Sequence, residues 1–257
     1  PLFTAHCLLM TELSLIVPAF NEASRIGPSL ESIAAYLHAQ PHTWELLIVD
    51  DGSRDQTSEV VIKYIDGIPG ARLIGYHPNK GKGFAVRTGV LASKGQWIVF
   101  LDADLSTPPD EIANALRYLK AGDDMVIGSR GLRESQIERK PPPFRRFASM
   151  VFDMVKHLIV GLWQYADTQC GFKAYRASAV RPLYERSIID RFMFDVEILY
   201  LAGRAGLKVR EMPVHWADAP GSKVRFWEGI YHMFKDLVRI RWSHRRHFVM
   251  ARKEQKV

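Results

Sequence analysis

Two aspartates one residue apart, Asp102 and Asp104, close the apolar run Trp97 to Leu101 in the stretch WIVFLDADLSTPPD. Hard carboxylate oxygens at that spacing suit Mg²⁺ or Mn²⁺, cations that keep several waters and bridge phosphate oxygens. An unbroken apolar run is how a strand buried on both faces of a parallel sheet reads, and the carboxyl edge of such a strand is where open α/β sheets hold ligands. Standing alone, the two acids would equally well be a solvated loop; other charged groups at strand ends change that balance.

Asp50 and Asp51 end a second apolar run, Trp44 to Val49. They are placed to accept hydrogen bonds from a base N–H or a ribose hydroxyl, or else to compensate the N-terminal dipole of the next helix. The loop HPNKGKGFAVRTG adds Lys80 and Lys82 between glycines 81 and 83, a combination that lets backbone approach a phosphate at a helix N-terminus. Its spacing is neither Gly-x-x-x-x-Gly-Lys-Ser/Thr nor Gly-x-Gly-x-x-Gly, which disfavours both common nucleotide folds. Ser129 and Arg130 follow the run Met125 to Gly128, and Asp167 lies in DTQCGFKAY. Asp195 and Glu197 sit in the apolar segment FMFDVEILYL. Acids in such surroundings are either working groups or members of salt bridges, here with one of the many arginines.

The elements that carry these residues alternate. Leu13 to Val17 reads as a strand, followed by PAFNE and a helix with Pro28 in its first turn and Leu30, Ile33, Ala34 and Leu37 on one face. Trp44 to Val49 is a strand leading to a helix with Ser53 and Gln56 as its capping box, and Arg72 to Gly75 is a short strand. After the central strand, Thr107, Pro108 and Asp110 mark a helix start. This pattern predicts an α/β fold: a mostly parallel central sheet with helices on both faces. Residues 131–146 form a basic, Pro-rich connection of the kind that is usually functional. Phe147 to Trp163 reads as a helix with Phe152, Val155, Leu158, Ile159 and Leu162 along one side, packed on the core in preference to the alternative, contact with lipid, and VREMPVHWADAPGSKV reads as an edge strand and loop. The last helix places Phe226, Ile230, Met233, Phe234 and Leu237 on one side among basic residues. It is either a closing helix or one that lies on anionic lipid.

The chain of 257 residues has no linker-like division and no repeat, so we expect one domain over 10–223 and a basic amphipathic C-terminal extension over 224–257. Residues 1–9 lack the marks of a signal peptide and read as disordered or vector-derived. With two cysteines, Cys7 and Cys170, no disulfide framework is expected, and a reducing compartment follows. The net charge is +7, with ten Lys/Arg against three acids over 223–257. That surplus points to anionic partners, whether nucleotide, nucleic acid or lipid. Nucleic acid is disfavoured, because acids crowd the strand ends and the aromatics are not interleaved with the basic residues.

The blocks PAFNE (18–22), DDGS (50–53), NKGKG (79–83), DADLSTP (102–108), IGSR (127–130), DTQCGFK (167–173), FDVE (194–197) and GSKV (221–224) together resemble glycosyltransferase family 2, over nearly the whole chain. Within it they are most similar to the dolichyl- or polyprenyl-phosphate β-glucosyltransferases and their mannosyl relatives. The resemblance implies a GT-A (Rossmann-like) fold and a metal-dependent, inverting glycosyltransferase that takes a nucleotide-sugar donor. Pro18, Ala19, Phe20, Glu22, Val49, Asp51, Lys82, Asp102 and Ala103 would line the nucleotide-sugar, and Asp102 and Asp104 would hold Mg²⁺ or Mn²⁺. Ser129, Arg130, Arg146 and Lys223 would receive the acceptor phosphate, and Asp104, Arg130 and Asp195 would be the catalytic set. The DTQCGFK block and Ser106 tilt the donor toward UDP-glucose, with GDP-mannose the alternative. The implied acceptor is a dolichyl or polyprenyl phosphate, reached peripherally at the cytoplasmic face of a membrane, by surface helices or by a membrane-anchor partner. Such an acceptor oxygen is already ionised, so arginine and metal suffice. A hydroxyl acceptor, the other alternative, would need a base, with Asp195 or Glu197 the candidates. We expect the FDVE block to support structure or orient a group.

Overall fold

The computed structural model describes residues 11–138, 143–217 and 226–245. In chain order its elements are β1 (Leu13–Ala19), α1 (Ile26–His38), β2 (Trp44–Asp50), α2 (Thr57–Ile65), β3 (Ala71–Gly75), α3 (Lys82–Ala92), β4 (Trp97–Leu101), α4 (Glu111–Lys120) and β5 (Met125–Ser129). There follow β6 (Gln136–Ile137), α5 (Pro143–Val160), β7 (Phe172–Arg176), α6 (Ala177–Arg186), α7 (Phe194–Ala205), β8 (Val209–Pro213), β9 (His215–Trp216) and α8 (Phe226–Ser243). Seven strands form one sheet in the order β3-β2-β1-β4-β7-β5-β8, and β6 pairs with β9 alongside it.

The apolar runs dictate this arrangement. Every residue of β1 and β4 is buried, and side chains alternate between two cores. Ile16, Leu47, Val49, Ile98 and Phe100 face one core, which α3, α6 and α7 cover, whereas Leu15, Val17, Leu46, Ile48 and Val99 face the other, which α1 and α4 cover. A two-sided core is what a parallel sheet between helical layers requires. The C-terminal α8, expected as an extension, places Leu237 and Ile240 in the first of these cores.

Several local expectations are corrected. Helix α2 starts at Thr57, whose backbone N–H donates to Asp55 Oδ1 (3.0 Å), while the expected cap Ser53 accepts instead from Asn21 N (2.9 Å). Helix α4 starts at Glu111 after a turn in which Pro108 and Pro109 carbonyls accept from Glu111 and Ile112, and Asp110 makes no side-chain cap. Leu158 points outward, on the side of α5 away from Phe152, Val155 and Ile159, and Phe234 points outward from α8. The segment Phe172–Arg176 was not anticipated as a strand, yet β7 runs antiparallel between β4 and β5 at the centre of the sheet.

Candidate active site

One edge of the sheet gathers the chemistry. The parallel strands β1, β2, β4 and β5 deliver Ala19, Asp50, Asp102 and Ser129 there. Because β7 is antiparallel to β4, the turn leading into it returns to the same edge, and Asp102 N donates to Gly171 O (3.1 Å). The DTQCG turn therefore sits against the two-aspartate loop.

Asp102 Oδ1 lies 2.5 Å from Lys82 Nζ, at the start of α3. Burial disfavours that ammonium, but Asp102 and then Asp195 outweigh it and raise the Lys82 pKa above the usual lysine value. A methyl group on Gly171 would overlap Asp102 Oδ2, so glycine at 171 opens the space this carboxylate occupies. Asp104 Oδ1 accepts from Ser106 N (3.0 Å), an Asx turn that leaves Leu105 at φ +48°. Only Asn21, at φ +54° in the PAFNE turn, shares that conformation among the described non-glycine residues. Both strained positions flank the site, where such cost concentrates. No group of three His, Cys, Asp or Glu is arranged to hold a metal among the described residues. Asp102 and Asp104 are the carboxylates that could hold a hard divalent ion here, and such an ion would need water or ligand oxygens besides them.

Asp51 is placed as expected but engaged differently. Its Oδ1 accepts from Tyr76 Oη (2.8 Å) and Lys80 N (2.8 Å), its Oδ2 from Asn79 Nδ2 (2.6 Å) and Gly81 N (2.8 Å). Four donors fill a carboxylate. Asp51 therefore fastens the NKGKG loop, and two amides of the expected phosphate cradle are committed to it. Burial, with the Asp51 hydrogen bond next, holds the Tyr76 hydroxyl well above the usual phenol range. Gly81 (φ +112°) is needed because a side chain there would meet Asp190 O, so this glycine lets the loop pack against Asp190 and Arg191. Glu22 makes a bidentate pair with Arg25, an i,i+3 contact visible in the sequence spacing. That bond, ahead of the opposing burial, raises the Arg25 pKa. The Pro18, Ala19, Val49 and Ala103 side chains are buried, those of Ala19, Val49 and Ala103 in the two cores, while Phe20 is exposed.

On the far side, Arg130 makes a bidentate pair with Asp167: Nε to Oδ2 (2.6 Å) and Nη2 to Oδ1 (3.0 Å), with Arg130 N also donating to Oδ2 (3.1 Å). Its guanidinium carbon stands 5.4 Å from the centre of the Trp216 ring. Burial pushes the Asp167 carboxyl up, but Arg130 outweighs it and holds the group at about 2. Ser129 is fully buried, its hydroxyl accepting from Gly131 N (3.2 Å) and its carbonyl from Ser135 Oγ (2.5 Å), bonds that fix the turn next to Arg130. The Arg146 side chain and Lys223 lie outside the described residues.

Asp195 opens α7 and pairs with Lys173 of β7 (2.6 Å), both buried; Lys173 also donates to Cys170 O (2.8 Å). Burial raises the Asp195 carboxyl pKa against the pull of Lys173 and Lys82. Glu197 accepts from Ile188 N and Ile189 N (2.9 Å each) and lies 2.6 Å from Nε2 of His244, the residue after α8. Its partners are thus backbone and a histidine, not an arginine. Lys173 and the Asp167 pairing escaped sequence reading, although the DTQCGFK block carried both.

A mostly parallel sheet with a two-aspartate turn beside its central strand is the nucleotide-sugar architecture of the GT-A glycosyltransferases. The glycosyl transferase family 2 model matches residues 14–183, and the chain belongs to that family. It is 36% identical over 237 residues to a dolichyl-phosphate β-glucosyltransferase of Trichomonas vaginalis, covering 88% of this chain and 70% of the relative. To the human dolichyl-phosphate β-glucosyltransferase it is 34% identical, over 90% of this chain and 75% of that protein. Among solved structures, glucosyl-3-phosphoglycerate synthase of Mycobacterium tuberculosis, in complex with Mn²⁺, UDP and glucosyl-3-phosphoglycerate, superposes with a TM-score of 0.66 at 19% identity, covering 90% of this chain and 78% of that one. This likeness shows the GT-A fold.

Proposed function

We propose that this enzyme transfers glucose from UDP-glucose, with inversion, to the phosphate of a dolichyl or polyprenyl lipid, working peripherally at the cytoplasmic face of a membrane. The observation that carries the choice of acceptor is the state of the carboxylates. Asp195 is buried and pairs through one oxygen with Lys173, Glu197 is held by two backbone amides and His244, Glu22 by Arg25, and Asp51 by four donors. A hydroxyl acceptor needs a base with an open oxygen, whereas a phosphate acceptor arrives ionised and needs only cations and alignment.

In this reading Asp102 and Asp104 hold a Mg²⁺ or Mn²⁺ that offsets the charge building on the leaving diphosphate. Lys82, beside Asp102, supplies a further cation to the same diphosphate. Asp167 fixes the Arg130 guanidinium in one orientation, leaving its remaining N–H groups to face the incoming lipid phosphate, with Arg146 and Lys223 assisting. The glucose assignment rests on the names of the similar proteins and on the DTQCGFK block.

The test is a transfer assay with Mg²⁺ or Mn²⁺, a short polyprenyl phosphate and a panel of UDP- and GDP-sugars, products identified by mass. Glucose transfer from UDP-glucose that EDTA abolishes is the expected result. Transfer from GDP-mannose alone would replace the donor; hydrolysis without transfer would overturn the acceptor.

A further inference from the structure

Helix α8 has two apolar faces, and only one of them packs against the protein. Met233, Leu237, Ile240 and His244 turn inward, with Leu237 and Ile240 buried and His244 held by Glu197. At about 100° per residue, Tyr231, Phe234, Val238 and Trp242 make a second stripe on the opposite side, and all four are exposed, Trp242 to 77%. Helix α5, packed beside α8, repeats the arrangement: Phe152, Val155 and Ile159 meet the core, while Met150, Met154 and Leu158, at four-residue spacing, are exposed, Leu158 to 70%. Trp163, just beyond its end, is exposed too. One apolar stripe is what a surface helix of a globular protein needs; a second, continued on its neighbour, marks an interaction surface.

We propose, on the lipid-phosphate reading above, that the outer faces of α5 and α8 are a docking surface for an anionic lipid bilayer. The charges bordering the stripe identify the partner. On the same wheel Arg241 lies to one side of it and Lys235 and Arg239 to the other, all exposed, with Arg245 exposed just past the helix end, whereas Asp236 is half-buried toward the inner side. A second copy of the chain on this face would bring two cationic borders together. Anionic headgroups satisfy the cations while Trp, Tyr, Phe, Leu and Met enter the acyl boundary, the design of an interfacial helix. Tryptophan and tyrosine favour that depth because one end of each is apolar and the other polar. The docked face is tied to the site: Lys156 of α5 donates to Thr168 Oγ1 (3.0 Å), next to the Asp167 that holds Arg130, and His244, the residue after α8, joins Glu197 of α7.

The experiment uses the full chain and vesicles of phosphatidylcholine, with and without phosphatidylserine, free of substrate. Flotation and tryptophan fluorescence report binding for wild type, Phe234→Glu/Trp242→Glu and Met154→Glu/Leu158→Glu. Wild type binds the anionic vesicles and binds the neutral ones less. Each double variant, altered only at exposed positions and checked by thermal melt, loses at least about tenfold in partition. Transfer to a long-chain lipid phosphate in vesicles falls in step, while transfer to a short, water-soluble prenyl phosphate is unchanged. Wild type that ignores anionic vesicles, or variants that bind like wild type, would overturn the docking face. So would a dimer that the same substitutions dissolve without any vesicle binding. Lack of transfer to both acceptors by wild type would instead sink the acceptor reading, because vesicle binding is measured without substrate.

Discussion

Replacing Lys173 by Met strands the carboxylate of Asp195 in the core. The pair is 2.6 Å long, and its side chains are only 1% and 5% exposed. Burial already raises the Asp195 pKa, and Lys173 is the strongest group opposing it, so its loss forces the carboxyl to take up a proton or remain as an uncompensated buried charge. Breaking such a pair costs about 3–5 kcal/mol, a large share of the roughly 5–15 kcal/mol that stabilises a domain. For a chain of this size that is a melting-point loss of roughly 6–20 °C. Asp195→Leu strands the lysine instead and costs a similar amount. Lys173→Met/Asp195→Leu removes both charges and recovers most of the loss, with a coupling energy of about 2 kcal/mol or more. Denaturant melts of the four proteins measure the cycle, and kcat on each separates structure from chemistry. If the pair only holds β7 against α7, kcat of the double variant returns to within about tenfold of wild type. Single variants within about 0.5 kcal/mol of wild type, or a double variant no better than the sum, would refute the coupling. A stable double variant with no turnover would give Asp195 a chemical role and reopen the hydroxyl-acceptor reading.

Other outcomes follow from the same geometry. Gly171→Ala pushes a methyl group into the space of Asp102 Oδ2, so calorimetry should show weakened metal-dependent UDP binding and transfer should fall about 100-fold; unchanged UDP binding would show that Asp102 does not depend on this gap. The Asp167 carboxyl, held at about 2 against its ordinary 3.8, stabilises the fold above about pH 4, and that contribution, on the order of 2 kcal/mol, is lost as pH falls toward 2. Denaturant melts of wild type and Asp167→Asn should accordingly converge between pH 5 and 2.5, and a constant gap would contradict the pairing. The Cys170 thiol is buried and pushed up to about 11 by that burial, so native Cys7→Ser protein should resist iodoacetamide at pH 8 and react only on unfolding.

What was legible in the sequence were the features made of contiguous residues. The apolar runs of β1, β2 and β4 announce strands buried on both faces, and the acids that end them announce the functional edge. Strand β7 was hidden because FKAYR carries Lys173 in a central, buried position, which only its pairing with Asp195, 22 residues on, makes tolerable. That hidden strand also concealed the partner of Arg130, since Asp167 reaches the site only when β7 runs antiparallel to β4. Helix starts were misplaced where a competing local bond won: Asp55 takes the Thr57 amide from the expected cap, and the two prolines before α4 turn the chain once more before the helix begins. The outward positions of Leu158 and Phe234 were missed for a different reason. An amphipathic pattern shows where apolar residues lie on a helix, but a helix with two apolar faces gives no internal sign of which one is covered.

The net charge of +7 means something different once the pairs are counted. At the edge where the site lies, Lys82 is matched by Asp102, Arg25 by Glu22, Arg130 by Asp167, Lys173 by Asp195 and Arg87 by Asp190. Asp50, Asp51 and Asp104 add acids that are hydrogen-bonded but form no ion pair among the described residues. The cations of this edge are therefore largely matched by acids, with Lys80, over the Tyr76 and Phe84 rings, in no ion pair among the described residues. Within the described residues α8 carries a visible share of the positive surplus, with Lys235, Arg239 and Arg241 exposed on the helix and Arg245 exposed just past its end. Part of the bulk basicity of this protein thus lies on the face that carries the apolar stripe, and the net charge by itself says little about the pocket where the nucleotide-sugar reading places the donor.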